Sequence, residues 1–230
     1  MSIDKGRRFY LNTRVFETST MKKSKSSHQW LREHEDDEFV KRARIEGYRS
    51  RASFKLLEIK EKFNLLRRGD CVVDLGAAPG GWSQVAARSV GDKGKVIALD
   101  LLEMPPIEGV TIIQGDFTEE APFDRLMAQI KESPVDLVIS DMAPNLSGMK
   151  HIDQPRSVYL GELAIHLCDS VLRKNGNLVS KCFEGEGIND IRQMLRDRFS
   201  RVVNFKPKAS RDKSREIYLV GLGHKAHPSG

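Results

Sequence analysis

The sequence predicts a doubly wound α/β fold, in which helices cover both faces of a mostly parallel sheet. From residue 71 onward, short apolar runs alternate with helical patterns, and that alternation is typical of parallel strands joined by crossover helices. The first apolar run, Cys71 to Leu75, leads directly into a turn of small residues at 76–81. Open sheets of this class bind ligands at the carboxyl ends of their strands, so we expect a binding site at this turn.

Two helices are predicted ahead of the first strand. Apolar residues at helical spacing predict a helix over 28–45, which Gly47 ends, and the stretch 48–55 leads into a second helix that runs through Phe63. Residues 1–20 show neither periodicity nor a usable core. We therefore predict a disordered N-terminal extension over 1–25, one domain over 26–222 and a C-terminal tail over 223–230.

The rest of the sheet follows from apolar runs separated by helical patterns. Further strands are predicted at 95–100, 110–114, 135–141, 177–183, 202–205 and 216–220. Helices are predicted at 82–88, 156–172 and 188–199. With the strand at 71–75, this makes a seven-stranded sheet.

Length and cysteine usage limit the class of protein. A chain of 230 residues is long enough for one domain with a substantial core. Its three cysteines, Cys71, Cys168 and Cys182, lack C-x-x-C spacing, which favours buried reduced thiols over a zinc site or disulfides. No apolar run reaches the roughly 18–20 residues of a membrane span, and the N-terminus lacks the apolar centre of a signal peptide. We expect a cytoplasmic monomer with no membrane contact and no metal.

The charge is unevenly distributed along the chain. Residues 1–70 carry 18 Lys/Arg against 11 Asp/Glu, residues 71–200 carry 13 against 19, and residues 201–230 carry 7 against 2. Two basic ends therefore flank an acidic centre. A single basic run is usually a solvated surface, but two such ends beside a ligand-binding turn favour a polyanion such as nucleic acid as partner.

The spacing within the turn indicates which ligand it holds. Asp74-x-Gly76-x-x-x-Gly80-Gly81 does not match the G-x-G-x-x-G of dinucleotide sites or the G-x-x-x-x-G-K-[ST] of triphosphate sites. An acid on the first strand suits a cationic ligand without phosphates. S-adenosylmethionine, with its ammonium and sulfonium groups, fits that description.

Other polar residues fall where strands or helices would bring them near the turn. Asp100 ends the second strand, where an acid accepts ribose hydroxyls in adenosine-binding folds, and Asp116 follows the third strand, placed to accept from an adenine amino group. Asp141 and Lys181 end adjacent core strands, Glu216 begins the last strand, and Lys55 lies on the helix before the sheet. A lysine that closes an apolar strand needs carboxylate partners or a shifted pKa.

Five stretches of the chain, at 49–56, 74–84, 140–148, 181–187 and 214–218, closely resemble the RrmJ/FtsJ family of ribose 2'-O-methyltransferases. The resemblance implies a Rossmann-like fold that binds S-adenosylmethionine, with a catalytic tetrad at Lys55, Asp141, Lys181 and Glu216. The implied cofactor contacts are Gly80, Trp82, Asp100, Asp116 and Asp141, and the neighbouring turn and strand ends add Asp74, Gly76, Pro79, Gly81, Leu101 and Phe117.

The resemblance also implies a substrate, namely ribosomal RNA of the large subunit with a uridine of the A-loop as target. We expect RNA to be contacted by residues near the basic N-terminus and around the tetrad: Lys22, Lys23, Lys25, Arg49, Arg51, Lys55 and Tyr218. Cationic side chains there would grip phosphates, which gives affinity without sequence information.

Roles within the tetrad can be assigned from the chemistry of methyl transfer to a hydroxyl. Lys181 is expected to accept the proton of the ribose hydroxyl or to orient its oxygen, while Asp141 and Glu216 hold the ammonium group. Lys55 would position the ribose or an adjacent phosphate. Two alternatives stay open at this point: methylation of a base, for which Cys182 would be a weak candidate nucleophile, and a catalytically idle RNA-binding module.

Overall fold

A computed structural model describes residues 37–131, 133–144 and 147–225, so the predictions for residues 1–36 lie outside the described part. From the first strand onward, a helix separates most consecutive strands, except the second from the third and the sixth from the seventh. The helices are α1 Glu38–Ile45, α2 Ser53–Phe63, α3 Gly81–Val90, α4 Glu120–Ile130, α5 Lys150–Val171 and α6 Ile188–Arg198. The strands are β1 Cys71–Leu75, β2 Lys95–Asp100, β3 Val110–Gln114, β4 Val135–Ser140, β5 Leu172–Phe183, β6 Phe199–Phe205 and β7 Glu216–His224.

The seven strands of the described residues form one mixed sheet in the order β3-β2-β1-β4-β5-β7-β6. The pairs from β3 to β5 are parallel, whereas β7 runs antiparallel to both β5 and β6. The chain order reverses between β1 and β4, and such a switch point is where open α/β sheets bind ligands. This architecture confirms the predicted fold class.

The core lies in two layers, one on each face of the sheet. Leu56 and Ile59 of α2 and Val85 of α3 pack on one face, while Leu126 of α4 and Ile165 of α5 belong to the cluster on the other. Every residue of β1 is buried, as expected for a central parallel strand covered on both sides. The helices thus hold β1 and its turn in the middle of the molecule.

Several element boundaries differ from the sequence prediction. Helix α4 was not predicted, and α5 begins at Lys150, before the predicted start at 156 and ahead of its internal Pro155. Strand β7 extends to His224, two residues beyond the predicted end of the domain. None of the helices in the described residues is long and apolar enough to cross a membrane.

Candidate active site

The turn after β1 forms a cradle that is closed to larger side chains. Gly76 has a φ of 68° and Gly80 a φ of 105°, values that glycine adopts without the steric cost of a Cβ. A Cβ on Gly76 would lie 2.5 Å from Cγ of Met142, and one on Gly80 would lie 2.5 Å from Cδ1 of Ile107. Backbone, and not side chains, therefore lines the cradle at both positions.

Asp74 lies beneath this cradle and is completely buried. Its Oδ2 accepts a hydrogen bond of 2.6 Å from the Ser83 hydroxyl, whereas Oδ1 has no hydrogen-bond partner among the described residues. Burial raises the pKa of this carboxyl to about 8, and the carboxylates of Asp141 and Asp100 add to that effect. A buried carboxyl oxygen without a partner is costly, so the site fits a cationic ligand group that would satisfy it.

Asp100 and Asp116 follow β2 and β3 at the same edge of the sheet. The Asp100 carboxylate accepts 2.8 Å hydrogen bonds from the backbone N–H groups of Ala78 and Leu102, and so ties the cradle to the end of β2. Asp116 accepts from the backbone N–H and the hydroxyl of Thr118. Both carboxylates are fixed by local hydrogen bonds, as acceptors for ligand hydroxyl and amino groups need to be.

The register of the sheet brings the predicted tetrad together. Ser140 of β4 pairs with Ser180 of β5. Asp141 and Lys181 directly follow these two residues, so they lie side by side at the carboxyl ends of the parallel strands. Lys181 pairs across the antiparallel ladder with Tyr218. Glu216 lies two residues before Tyr218 and therefore on the same face of β7.

The four residues form two lysine–carboxylate pairs. Lys181 Nζ lies 3.1 Å from Asp141 Oδ1 and also donates to the backbone oxygen of Asp141. Lys55 Nζ, from α2, lies 2.6 Å from Glu216 Oε1. The Lys181 and Lys55 side chains are 8% and 12% exposed, so both ammonium groups lie in a largely dehydrated site that still opens to solvent.

Tyr218 joins the two pairs. Its hydroxyl donates a 2.7 Å hydrogen bond to Asp141 Oδ1, and Lys55 Nζ lies 5.7 Å from the centre of its ring. Burial, together with the nearby charges of Asp141 and Glu216, raises the pKa of Tyr218 well above its ordinary value. The phenol is therefore a permanent donor, which fixes the carboxylate that holds Lys181.

Glu216 remains ionised despite its burial. Burial alone would raise the pKa of its carboxyl, but the charge and hydrogen bond of Lys55, with a 2.8 Å hydrogen bond from the Ser210 hydroxyl, bring that pKa below its ordinary value. Glu216 is thus a carboxylate at neutral pH and holds the Lys55 side chain in place.

Trp82 connects the cradle to the pairs. It lies on the first turn of α3, its indole N–H donates 2.8 Å to the backbone oxygen of Ala52 just before α2, and its ring lies 5.6 Å from that of Tyr218. Because it is 2% exposed, it can support the floor of the site but offers little surface to a ligand.

The structure describes only some of the residues predicted to contact RNA. Lys22, Lys23 and Lys25 lie outside the described residues. The structure does not support a direct RNA contact by Tyr218, because the side chain is fully buried and its hydroxyl is bound to Asp141.

Two arginines with the same predicted role form internal contacts. The Arg49 guanidinium donates to the backbone oxygens of Pro79, Pro105 and Pro106. Arg51 forms an ion pair with Asp37 and donates to the backbone oxygen of Ala209. Arg49 thus bridges the cradle and the loop after β2, a positioning role that the sequence analysis missed, and its contact with RNA stays a prediction, as does that of Arg51.

Cys182 is excluded as a nucleophile by its surroundings. It is 2% exposed and belongs to the hydrophobic cluster on one face of the sheet. Burial raises the pKa of its thiol to about 12, so the thiolate needed for attack on a base is not formed at neutral pH. Its direct neighbour on the ladder is Ile217, whereas Lys181 pairs with Tyr218.

Comparison with known proteins identifies the class to which this fold and site belong. Residues 48–224 match the family model described as FtsJ-like methyltransferase. The fold and that match define the protein as a methyltransferase. The chain belongs to the FtsJ-like methyltransferase family.

Individual relatives share most of the chain. It is 57% identical over 203 residues to ribosomal RNA large subunit methyltransferase E of Pseudomonas paraeruginosa. The aligned region covers 88% of this chain and 98% of the relative. The protein of the same name from Hahella chejuensis has the same identity and coverage. A crystal structure of a ribosomal RNA methyltransferase from Plasmodium falciparum superposes with a TM-score of 0.70 at 31% identity, covering 78% of this chain and 100% of that one.

Proposed function

We propose that this methyltransferase uses S-adenosylmethionine to methylate a ribose 2'-hydroxyl of ribosomal RNA in the large subunit, with a uridine of the A-loop as target. The observation that carries the proposal is the arrangement of Lys55–Glu216 and Asp141–Lys181 as two charged pairs beside the glycine cradle. The names of the relatives support ribosomal RNA as the substrate.

The residues of the cradle and of the neighbouring strand ends suit the proposed cofactor. The free oxygen of Asp74 would accept from the amino group, Asp100 would accept from the ribose hydroxyls, and Asp116 would accept from the adenine amino group. A side chain at Gly76 or Gly80 would press on Met142 or Ile107 and would disturb the turn against which the cofactor is proposed to lie. Bound S-adenosylmethionine would supply a methyl group that its sulfonium already activates.

The protein's own task is then to align one hydroxyl and to manage one proton. Lys181 Nζ contacts both the side-chain Oδ1 and the backbone oxygen of Asp141. One tetrahedral position of this nitrogen therefore stays available for the ribose oxygen. Lys181 would orient that oxygen and either accept its proton or stabilise the developing alkoxide charge. Lys55, held by Glu216, would position the ribose or the next phosphate.

Lys181→Ala and Lys181→Arg test this assignment. Labelled methyl transfer to large-subunit ribosomal RNA would be measured, and resistance of the neighbouring phosphodiester to alkali would identify a 2'-O-methyl group. If Lys181 accepts the proton, Lys181→Ala should lower the rate by about 10²–10⁴-fold with cofactor affinity unchanged. Lys181→Arg should be nearly as slow, because a guanidinium does not release its proton.

Lys174→Ala provides the matched control, since Lys174 is exposed near the other end of the same strand and should leave the rate unchanged. An active Lys181→Arg variant would mean that Lys181 supplies charge and orientation only. Alkali-sensitive product would indicate base methylation and overturn the proposal. Cofactor binding without any turnover would favour the idle binding module.

A further inference from the structure

The loop between β6 and β7, residues 206–215, carries a strongly basic surface beside the candidate active site. It contains five basic residues and one acidic residue, all exposed: Lys206, Lys208, Arg211, Asp212, Lys213 and Arg215. Two of the cations are used within the fold. Lys206 donates to the backbone oxygens of Asp212 and Ser214, and Arg215 donates to the backbone oxygen of Glu184.

The other three cations, Lys208, Arg211 and Lys213, face outward. Among residues 37–131, 133–144 and 147–225, none of the three is within ion-pair distance of a carboxylate. Burial and the nearby charge of Arg211 together lower the pKa of the Arg51 guanidinium. Positive charge on this loop is therefore in excess, and the fold leaves it uncompensated.

The inner side of the loop is fixed to the domain. Glu58 on α2 accepts hydrogen bonds from the backbone N–H groups of Lys208 and Ala209, at 2.8 and 2.9 Å. Ala209 and Ser210 are buried, and the Ser210 hydroxyl donates to Glu216 of the Lys55 pair. Arg211, one of the outward-facing cations, therefore directly follows Ser210, whose hydroxyl contacts Glu216 of the candidate active site.

We propose that Lys208, Arg211 and Lys213 bind the phosphates of the RNA strand that carries the target ribose. The proposal rests on the proposed function for its choice of RNA as the polyanion. A fixed loop that bears free cations can hold a phosphate backbone in register without reading bases. The loop would thereby lead the RNA strand towards Lys55 and Lys181. Arg49 and Arg51, the other cations predicted to contact RNA near the site, are already engaged in internal contacts.

The triple variant K208A/R211A/K213A tests this surface in the full chain. Binding to a single-stranded oligouridylate would be measured as a function of salt, since each lost phosphate contact flattens the slope of log K against log salt by about 0.7. Three contacts correspond to a flattening of about 2. Between roughly 50 and 200 mM salt, the affinity of the unmodified chain should fall about 20-fold more than that of the variant.

The matched control is K93A/K131A/K174A, which removes the same charge from exposed positions near the amino ends of β2, β4 and β5. We expect this control to keep the original slope. In methylation assays the loop variant should raise KM for RNA and leave kcat at saturating RNA unchanged.

An unchanged slope in the loop variant, or equal flattening in the control, would overturn the proposed path even if the unmodified chain methylates ribose. A flattened slope in a chain that never methylates ribosomal RNA would instead refute the proposed function and leave the phosphate surface standing. Both variants should unfold at the same temperature as the unmodified chain, because all the substituted side chains are exposed. Thermal unfolding therefore checks that a changed slope does not come from loss of fold.

Discussion

Replacing Asp74 by Asn tests whether the buried carboxyl beneath the cradle holds a proton in the free protein. Burial raises its pKa from 3.8 to about 8, against the hydrogen bond from Ser83. The folded protein therefore binds this proton more tightly than the unfolded chain does. The stability that the proton contributes is complete below about pH 4 and is lost as the pH rises through about 8.

The size of the effect follows from the window between those two pKa values. Within it, each pH unit lowers the free energy of unfolding by about 1.4 kcal/mol. Relative to Asp74→Asn, which cannot ionise, the unmodified chain should lose about 3 kcal/mol between roughly pH 5 and pH 7. A constant offset between the two proteins, from the changed hydrogen bonding of the amide, does not affect this slope.

Urea unfolding at several pH values, followed by circular dichroism, measures the difference. Asp92→Asn serves as a control that removes one carboxyl from an exposed position. If the stability difference for Asp74→Asn stays flat, or moves in favour of the unmodified chain as the pH rises, then Asp74 is ionised in the folded protein and the reasoning from burial is wrong.

Two further predictions concern the rim of the cradle. Asp100→Ala removes the acceptor for the backbone N–H groups of Ala78 and Leu102. It should weaken S-adenosylmethionine binding by roughly 1.5–3 kcal/mol and leave RNA affinity nearly intact. Unchanged cofactor affinity in calorimetry would refute the assignment of Asp100 to the ribose hydroxyls. Arg49→Ala frees the loops that its guanidinium bridges and should lower cofactor affinity by about tenfold, roughly one charge-assisted hydrogen bond, with no change in the salt dependence of RNA binding. A flatter salt slope for Arg49→Ala would instead support the predicted contact between Arg49 and an RNA phosphate.

Much of the sheet could be predicted because its central strands are continuous apolar runs. The bounds of β1, β2 and β3 agree with the predicted ones. Strands β1 and β2 are mostly apolar and buried, whereas β3 is a partly exposed edge strand that is bounded by glycines at 109 and 115. Helix α4 was missed because Pro122 and the acidic residues around it resemble a loop, although proline is tolerated near the start of a helix. Helix α5 begins before the predicted start at 156 and includes Pro155, a residue type that in a sequence indicates a helix boundary.

The site was predictable where it depends on strand ends and unpredictable where it depends on distant partners. Asp141 and Lys181 could be placed together from the order of the strands alone. By contrast, Arg49 binds backbone oxygens 56 and 57 residues away, and no local pattern indicates that its charge is already engaged. The buried role of Tyr218 had a usable signal, since its spacing from Glu216 places both on one face of a strand.

The antiparallel strand β7 also determines when the site can be completed during synthesis. Within the described residues β6 pairs only with β7, and β7 separates it from β5. A growing chain that ends before residue 216 already has every cradle residue and both members of the Asp141–Lys181 pair. It lacks the carboxylate that holds Lys55 and the phenol that fixes Asp141. Strand β7 is thus the segment whose synthesis completes the candidate active site, after the cradle residues and the Asp141–Lys181 pair are already in the chain.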